Sequence, residues 1–172
     1  VVQNTIDTNE LESALAGVME TDLNSLRAHL GLANDHVALY CGGLYAGKQL
    51  DFLIAACQAI RQRVSNFHVI FIGNGPEQGK VEQAAQEHEW IHYVGPRFGR
   101  DRAMYFLVSQ ALLMPGLVGL AIVDSFVART PLFTTDIRSH SPEISYLEHG
   151  INGVVTPFSI SHYANAVAEF FE

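Results

Sequence analysis

Positive charge is scarce in this sequence: ten Lys and Arg stand against eighteen Asp and Glu, for a net charge of −8. That balance argues against nucleic acid or an anionic membrane surface as the main partner. It also means that any phosphate ligand must be held by local donors and not by a basic field. Cysteine is scarce as well, with only Cys41 and Cys57. Cys41 sits in an apolar run and Cys57 in a helix-periodic one, so both read as small core residues. They are too far apart to suggest a zinc knuckle, and a disulfide framework is not expected, which points to a reducing cytosol. One H-E-x2-H spacing occurs among the eight histidines, at His88-Glu-Trp-Ile-His92, but its second His falls in an apolar, strand-like run and not on the same helix; no G-x-S-x-G elbow is present. The longest nearly uncharged run, Ser109 to Val123, is broken by Pro115 and two glycines. It is shorter than the ~20 residues of a membrane span. No repeat, linker or low-complexity stretch appears.

What is present suits one α/β domain. At 172 residues and 48% apolar, the chain can bury a sizeable core. Short apolar runs at Val37–Cys41, His68–Ile72, Trp90–Val94, Ala111–Met114, Leu132–Thr135 and Val154–Val155 read as strands. Between and around them lie helix-periodic segments: Asn9–Leu30 as one or two helices, Leu50–Val64, the polar Glu77–His88, Arg100–Val108, Ile122–Ala128 and Ser159–Phe171. This alternation predicts a Rossmann-like, three-layer α/β/α sandwich with a mostly parallel sheet. In such folds ligands bind outside the carboxyl ends of the strands. Glycine-bearing loops follow four of the strands, at Gly42-Gly43, Gly73-Gly75, Gly95 and Gly116-Gly119, which places a candidate site on that edge.

Two of these loops have rival readings. Gly42-Gly-Leu-Tyr-Ala-Gly47-Lys48-Gln49 nearly matches a P-loop, but Gln49 stands where Ser or Thr would ligate Mg²⁺. Asp136 is the only acid closing an apolar strand and a weak second element of that motif. Lys48 could equally be a solvated lysine at a helix start. The stretch from Pro115 to Asp136 carries one acid, Asp124, on an otherwise apolar helix. Asp124 suits a helix start through the macrodipole. In His140-Ser-Pro-Glu143, Ser141 suits an N-cap, Pro142 the first helical position and Glu143 the first turn.

Taken together, these motifs resemble the family 4 retaining glycosyltransferases of the group 1 type. The donor-sugar signature P-S-x-x-E-G-F-G-L-x-x-x-E-A-x-A-x-G-x-P-V is similar to Pro115–Leu132. Gly42, Leu44, Lys48 and Asp51 meet the loop G-R-L-x-x-x-K-G-x-D, with Gly43 in place of its Arg. Ile70–Pro76 looks like V-G-x-G-P, Ile91–Arg97 like V-x-F-x-G-x-V, and Asn4-Thr-Ile-Asp7 like N-G-x-D. The first acid of E-x7-E is replaced by Gly116, a pattern that resembles members that build polysaccharides. Those members carry M-P-G-x-V-G-L and then H-S-P-E-I-x-Y-L, as Met114–Leu120 and His140–Leu147 do here.

The resemblance implies a GT-B enzyme whose C-terminal, donor-binding half is residues 1–172, the N-terminal acceptor domain being absent. It implies binding of a nucleotide-diphosphate sugar for retaining, metal-independent hexosyl transfer, with no cofactor. By itself this half is expected to be inactive in transfer. The implied donor contacts are Gly42, Gly43, Lys48, Gly75, Pro96, Arg97, Gly116, Leu117, Val118, Gly119, Leu120 and Asp124, with His140 as a phosphate contact. Lys48 is expected on the diphosphate and Asp124 on the ribose hydroxyls. Backbone N–H groups of Leu117, Val118 and Gly119 are expected to serve in place of the missing first acid. The acceptor would be a glycan or lipid-linked glycan reached through the other domain, in the cytoplasm or at the inner membrane face. The alternatives are a P-loop nucleoside triphosphatase and a non-catalytic Rossmann-like binding module.

Overall fold

The computed structural model describes residues 7–32 and 36–172. Of the Asn4–Asp7 segment only Asp7 falls within them. Two helices, α1 (Asn9–Ala16) and α2 (Glu20–Leu30), precede the sheet. They break at Gly17 and Val18, and α2 closes at Gly31, which takes the left-handed conformation at φ 65. The chain then alternates through β1 (Val37–Cys41), α3 (Leu50–Arg63), β2 (His68–Ile72), α4 (Gln78–Glu87) and β3 (Ile91–Gly95). It continues through α5 (Gly99–Val108), β4 (Ala111–Leu113), α6 (Ala121–Val127), β5 (Leu132–Thr135), β6 (Gly153–Thr156) and α7 (Ile160–Phe171). Two short 3-10 helices complete the chain: Ala46–Lys48, not legible as a separate element, and Pro142–Tyr146, which begins where Ser141, Pro142 and Glu143 signal a helix start.

The six strands form one sheet in the order β3-β2-β1-β4-β5-β6, and every pairing is parallel. This is the doubly wound order, with its switch point between β1 and β4. β1 is buried along its whole length, as a central parallel strand covered on both faces must be. α3 packs with α4 and α7, whereas α5 packs with α1 and α2 and α6 touches α1. The result is the three-layer sandwich that the alternation implies.

The central strands fix where the loops meet. Tyr40 is fully buried and its hydroxyl donates to the Gly43 carbonyl at 2.7 Å, tying the loop after β1 to the strand beneath it. Tyr163 of α7 likewise donates to Phe133 O at 3.0 Å. The polar α4 buries only Val81 and Ala84, which makes it the surface helix its composition implies. Pro76 lies in the turn before α4, which starts at Gln78.

Candidate donor site at the carboxyl edge

The loops after β1, β2 and β3 enclose a cavity of about 220 Å³. Of the sequence-derived site residues, Gly42, Gly43, Pro96 and Arg97 line it. Cys41, Gly73, Asn74, Phe98 and Arg102 join them. Phe98 is 78% exposed at its rim, and the Arg97 guanidinium donates to Pro96 O at 3.2 Å.

The glycines are required where backbones meet. Gly73 has φ +140, and a Cβ there would fall 1.8 Å from Gly42 O. Gly75 has φ +155, with Leu44 O 2.3 Å from the position of its Cβ. Backbone bonds lock the two turns together, from Gly42 N to Ile72 O and from Leu44 N to Asn74 O. Gly75 therefore supports the site and does not line the cavity.

Lys48 is not the solvated lysine that its position at a helix start suggests. It closes a 3-10 helix, is 7% exposed, and its ammonium donates to Leu117 O across the switch point. Burial brings its pKa down to about 8. The reverse contact runs from Leu117 N to Gly47 O at 2.9 Å. The Leu117 N–H is thus already engaged and is not a spare donor for a sugar. Gly116 explains itself here: a Cβ on it would lie 2.4 Å from Gly47 O and 2.5 Å from Lys48 C. No longer side chain fits at 116 without moving the β1 loop. Val118 turns its side chain into the core, and Gly119 takes φ +59 at the bend before Leu120, the residue flanking α6.

Asp124 is also buried, at 7% exposure, and its Oδ2 accepts from Arg102 at 3.1 Å. Burial pushes its carboxyl pKa up and the neighbouring guanidinium pulls it down. The dipole of a seven-residue helix is thus a small part of its setting. The charges of Lys48, Arg102 and Asp124 all act on the Cys41 thiol at the end of β1, whose pKa burial raises to about 11. Lys48, Arg102 and Asp124 therefore all act on the end of β1 at the switch point, and of the three Arg102 lines the cavity.

His140 faces the end of β5, with its Nε2 2.7 Å from Thr135 O. That bond assigns the proton to Nε2. Its buried Nδ1 has no hydrogen-bond partner among the described residues. Ser141 flanks its 3-10 helix without a side-chain cap bond, and Glu143 is 3% exposed. The segment starts a short helix as its composition suggests, with Ser141 before it, Pro142 first and Glu143 in the first turn, and Glu143 turned inward.

Cys41, Ile72, Asn74, Phe98 and Arg102 line the cavity without having been named as site residues from the sequence. A signal for Arg102 existed. It is the last cation before the uncharged stretch that contains Asp124, and a lone acid on an apolar helix calls for a partner. Among the described residues no group of three or more His, Cys, Asp or Glu side chains is arranged to hold a metal ion. None of the described helices is long and apolar enough to cross a membrane.

Residues 35–172 match the family described as Glycosyl transferases group 1, and the chain belongs to that family. It is 23% identical over 163 residues to an alpha-D-kanosaminyltransferase of Streptomyces kanamyceticus, covering 86% of this chain and 39% of that protein. The structure resembles that of Anabaena Alr3699/HepE in complex with UDP-glucose, with a TM-score of 0.75 and 23% identity. That match covers 98% of this chain and 46% of the Anabaena chain. A glycosyltransferase from Rickettsia africae gives a TM-score of 0.78 at 12% identity, with the same two coverages of 98% and 46%. At these identities the structural likeness speaks to the fold. The chain spans less than half the length of each of these proteins.

Proposed function

We propose that this chain is the donor-binding half of a glycosyltransferase and holds a nucleotide-diphosphate sugar at the carboxyl edge of its sheet. The observation that carries the reading is the convergence of Lys48, Arg102 and Asp124 on the end of β1, beside the glycine-walled cavity. Family membership supports it and favours it over the P-loop alternative. So does the Anabaena protein, whose structure holds UDP-glucose.

In this reading the diphosphate takes the place of Leu117 O on the Lys48 ammonium. Lys48 then neutralises charge as the nucleoside diphosphate leaves, a case of electrostatic stabilisation by a preorganised group. Asp124 accepts from the ribose hydroxyls, and Pro96 and Arg97 lie on the base side. The Gly116–Leu120 loop faces the sugar. His140 reaches a phosphate by exchanging its contact with Thr135 O. Transfer is retaining and metal-independent, it serves polysaccharide or glycoconjugate synthesis in the cytoplasm, and the acceptor is held by a second domain outside this sequence.

Two measurements test this. Calorimetry of UDP and GDP binding is run with and without EDTA, and strict Mg²⁺ dependence, or no binding of either, would sink the reading. A transfer assay with UDP-glucose on residues 1–172 should show at most slow donor hydrolysis. Half a cleft cannot hold two reactants together, and that approximation supplies effective molarities that can reach ~10⁵ M. Efficient transfer to a defined acceptor would refute the two-domain reading.

A further inference from the structure

Asp124 is an awkward residue to use as a hydrogen-bond acceptor. Its side chain is 10% exposed, and a carboxyl so placed tends to take up a proton and become part donor. Arg102 is the counterweight. It comes from α5, before β4, while Asp124 lies on α6, after β4, so the pair closes around the strand next to the switch point. The Arg102 Nε–H is buried without a hydrogen-bond partner among the described residues, and Arg102 lines the cavity. Lys48, which acts on the Cys41 thiol from the loop after β1, is the other cation near the pair, and its ammonium is committed to Leu117 O. α1 carries Glu10 and Glu12, the 3-10 helix at 142–146 carries Glu143 and Tyr146, and β1 brings the Cys41 thiol. Arg102 is the charged group that acts on the Asp124 carboxyl.

We propose that Arg102 is a positioning residue of the donor site: it anchors Asp124 through Oδ2 and keeps it a carboxylate, so that Oδ1 accepts from the ligand. This rests on the donor-site reading above. Arg102 acts through Asp124, and its removal changes the pH at which the site works. The sign follows from charge. Without the guanidinium the Asp124 carboxyl titrates at higher pH, and ligand binding that needs the carboxylate is lost sooner on acidification.

The experiment has two readouts on the chain of 172 residues. Carbon-detected NMR follows the Asp124 carboxyl from pH 4 to 8 in the wild type, Arg102→Met and Arg102→Lys. Calorimetry follows UDP binding over the same range. The Arg102→Met variant should titrate Asp124 at higher pH, and its UDP affinity should fall about tenfold per pH unit below that point. Arg102→Lys should restore most of the wild-type behaviour, and Asp124→Asn should bind weakly in either background, with only the acid limb of the UDP terminal phosphate, whose second pKa is about 6. Should Arg102→Met not fold, Arg102→Gln reads the same titration. A UDP profile of the folded variant that superimposes on the wild type overturns the proposal and leaves Arg102 a tie between helices. If Asp124 responds to Arg102 but the wild type binds neither UDP nor GDP, the donor-site reading itself fails and the positioning role falls with it.

Discussion

The two ends of the sheet differ in a way that volume alone would misjudge. The cavity at the amino edge is the larger, about 600 Å³, and is lined by His29, Arg61, His68, His88 and Trp90 among others. There His68 stacks on His92 with ring nitrogens 3.0 Å apart, and burial holds the His92 pKa down at about 4. His88 and Arg61 both pack on Trp90. His68 and His92 partner one another, and Gly31, the left-handed glycine on this cavity's wall, stands open, since a Cβ there would meet nothing within 4 Å. The carboxyl edge has a cavity of about 220 Å³, yet it holds two cations and an acid against backbone loops packed so closely that a Cβ at Gly73, Gly75 or Gly116 would clash with a facing carbonyl. Charge and close backbone approach, more than empty space, set the proposed donor site apart from the amino edge.

The largest effect should come from the backbone contact that closes the carboxyl edge. Gly116→Ala places a Cβ against Gly47 O and the Lys48 backbone. It should cost about 3 kcal/mol of stability, the upper range for overpacking against atoms that cannot yield. Urea unfolding measures it, and a loss under about 0.5 kcal/mol, the level of an ordinary surface change, would show that the loops are not held as described.

Next is Lys48→Ala, which should weaken UDP binding by roughly 1.5–3 kcal/mol, the range for a hydrogen bond to a charged group. Uridine should bind as before. Because the Lys48 pKa is lowered to about 8, wild-type UDP binding should weaken as pH rises through that value, and the variant should lose this basic limb. Equal loss for UDP and uridine would move Lys48 off the phosphate.

The smallest effect on binding belongs to the amino edge. His92→Asn should leave UDP affinity within about twofold, well under the 1.4 kcal/mol of a tenfold change. Its signature is stability instead. The folded His92 pKa lies below its ordinary value, so the unfolded chain binds the extra proton between about 4 and 6.5. Stability should therefore fall as pH drops through that window, and the variant should fall less steeply. A UDP affinity that collapses in this variant would erase the contrast between the two edges.

Parallel topology and the edge that carries the site were legible because they depend on local pattern. Continuous apolar strands such as Val37–Cys41 signal burial on both faces, and glycines after strands mark where backbones must turn or touch. Gly42, Gly43, Lys48 and Asp124 stood out for the same reason, as residue types that a short window makes conspicuous. The tertiary structure decided which of them share a space. Lys48 and Leu117 lie 69 residues apart in sequence, and Arg102 and Asp124 lie 22 apart. Only the β1–β4 pairing at the switch point brings those groups together. A sequence window reports propensity and periodicity, whereas burial of Lys48, the partner of Asp124 and the need for Gly116 each depend on which distant backbone arrives beside them.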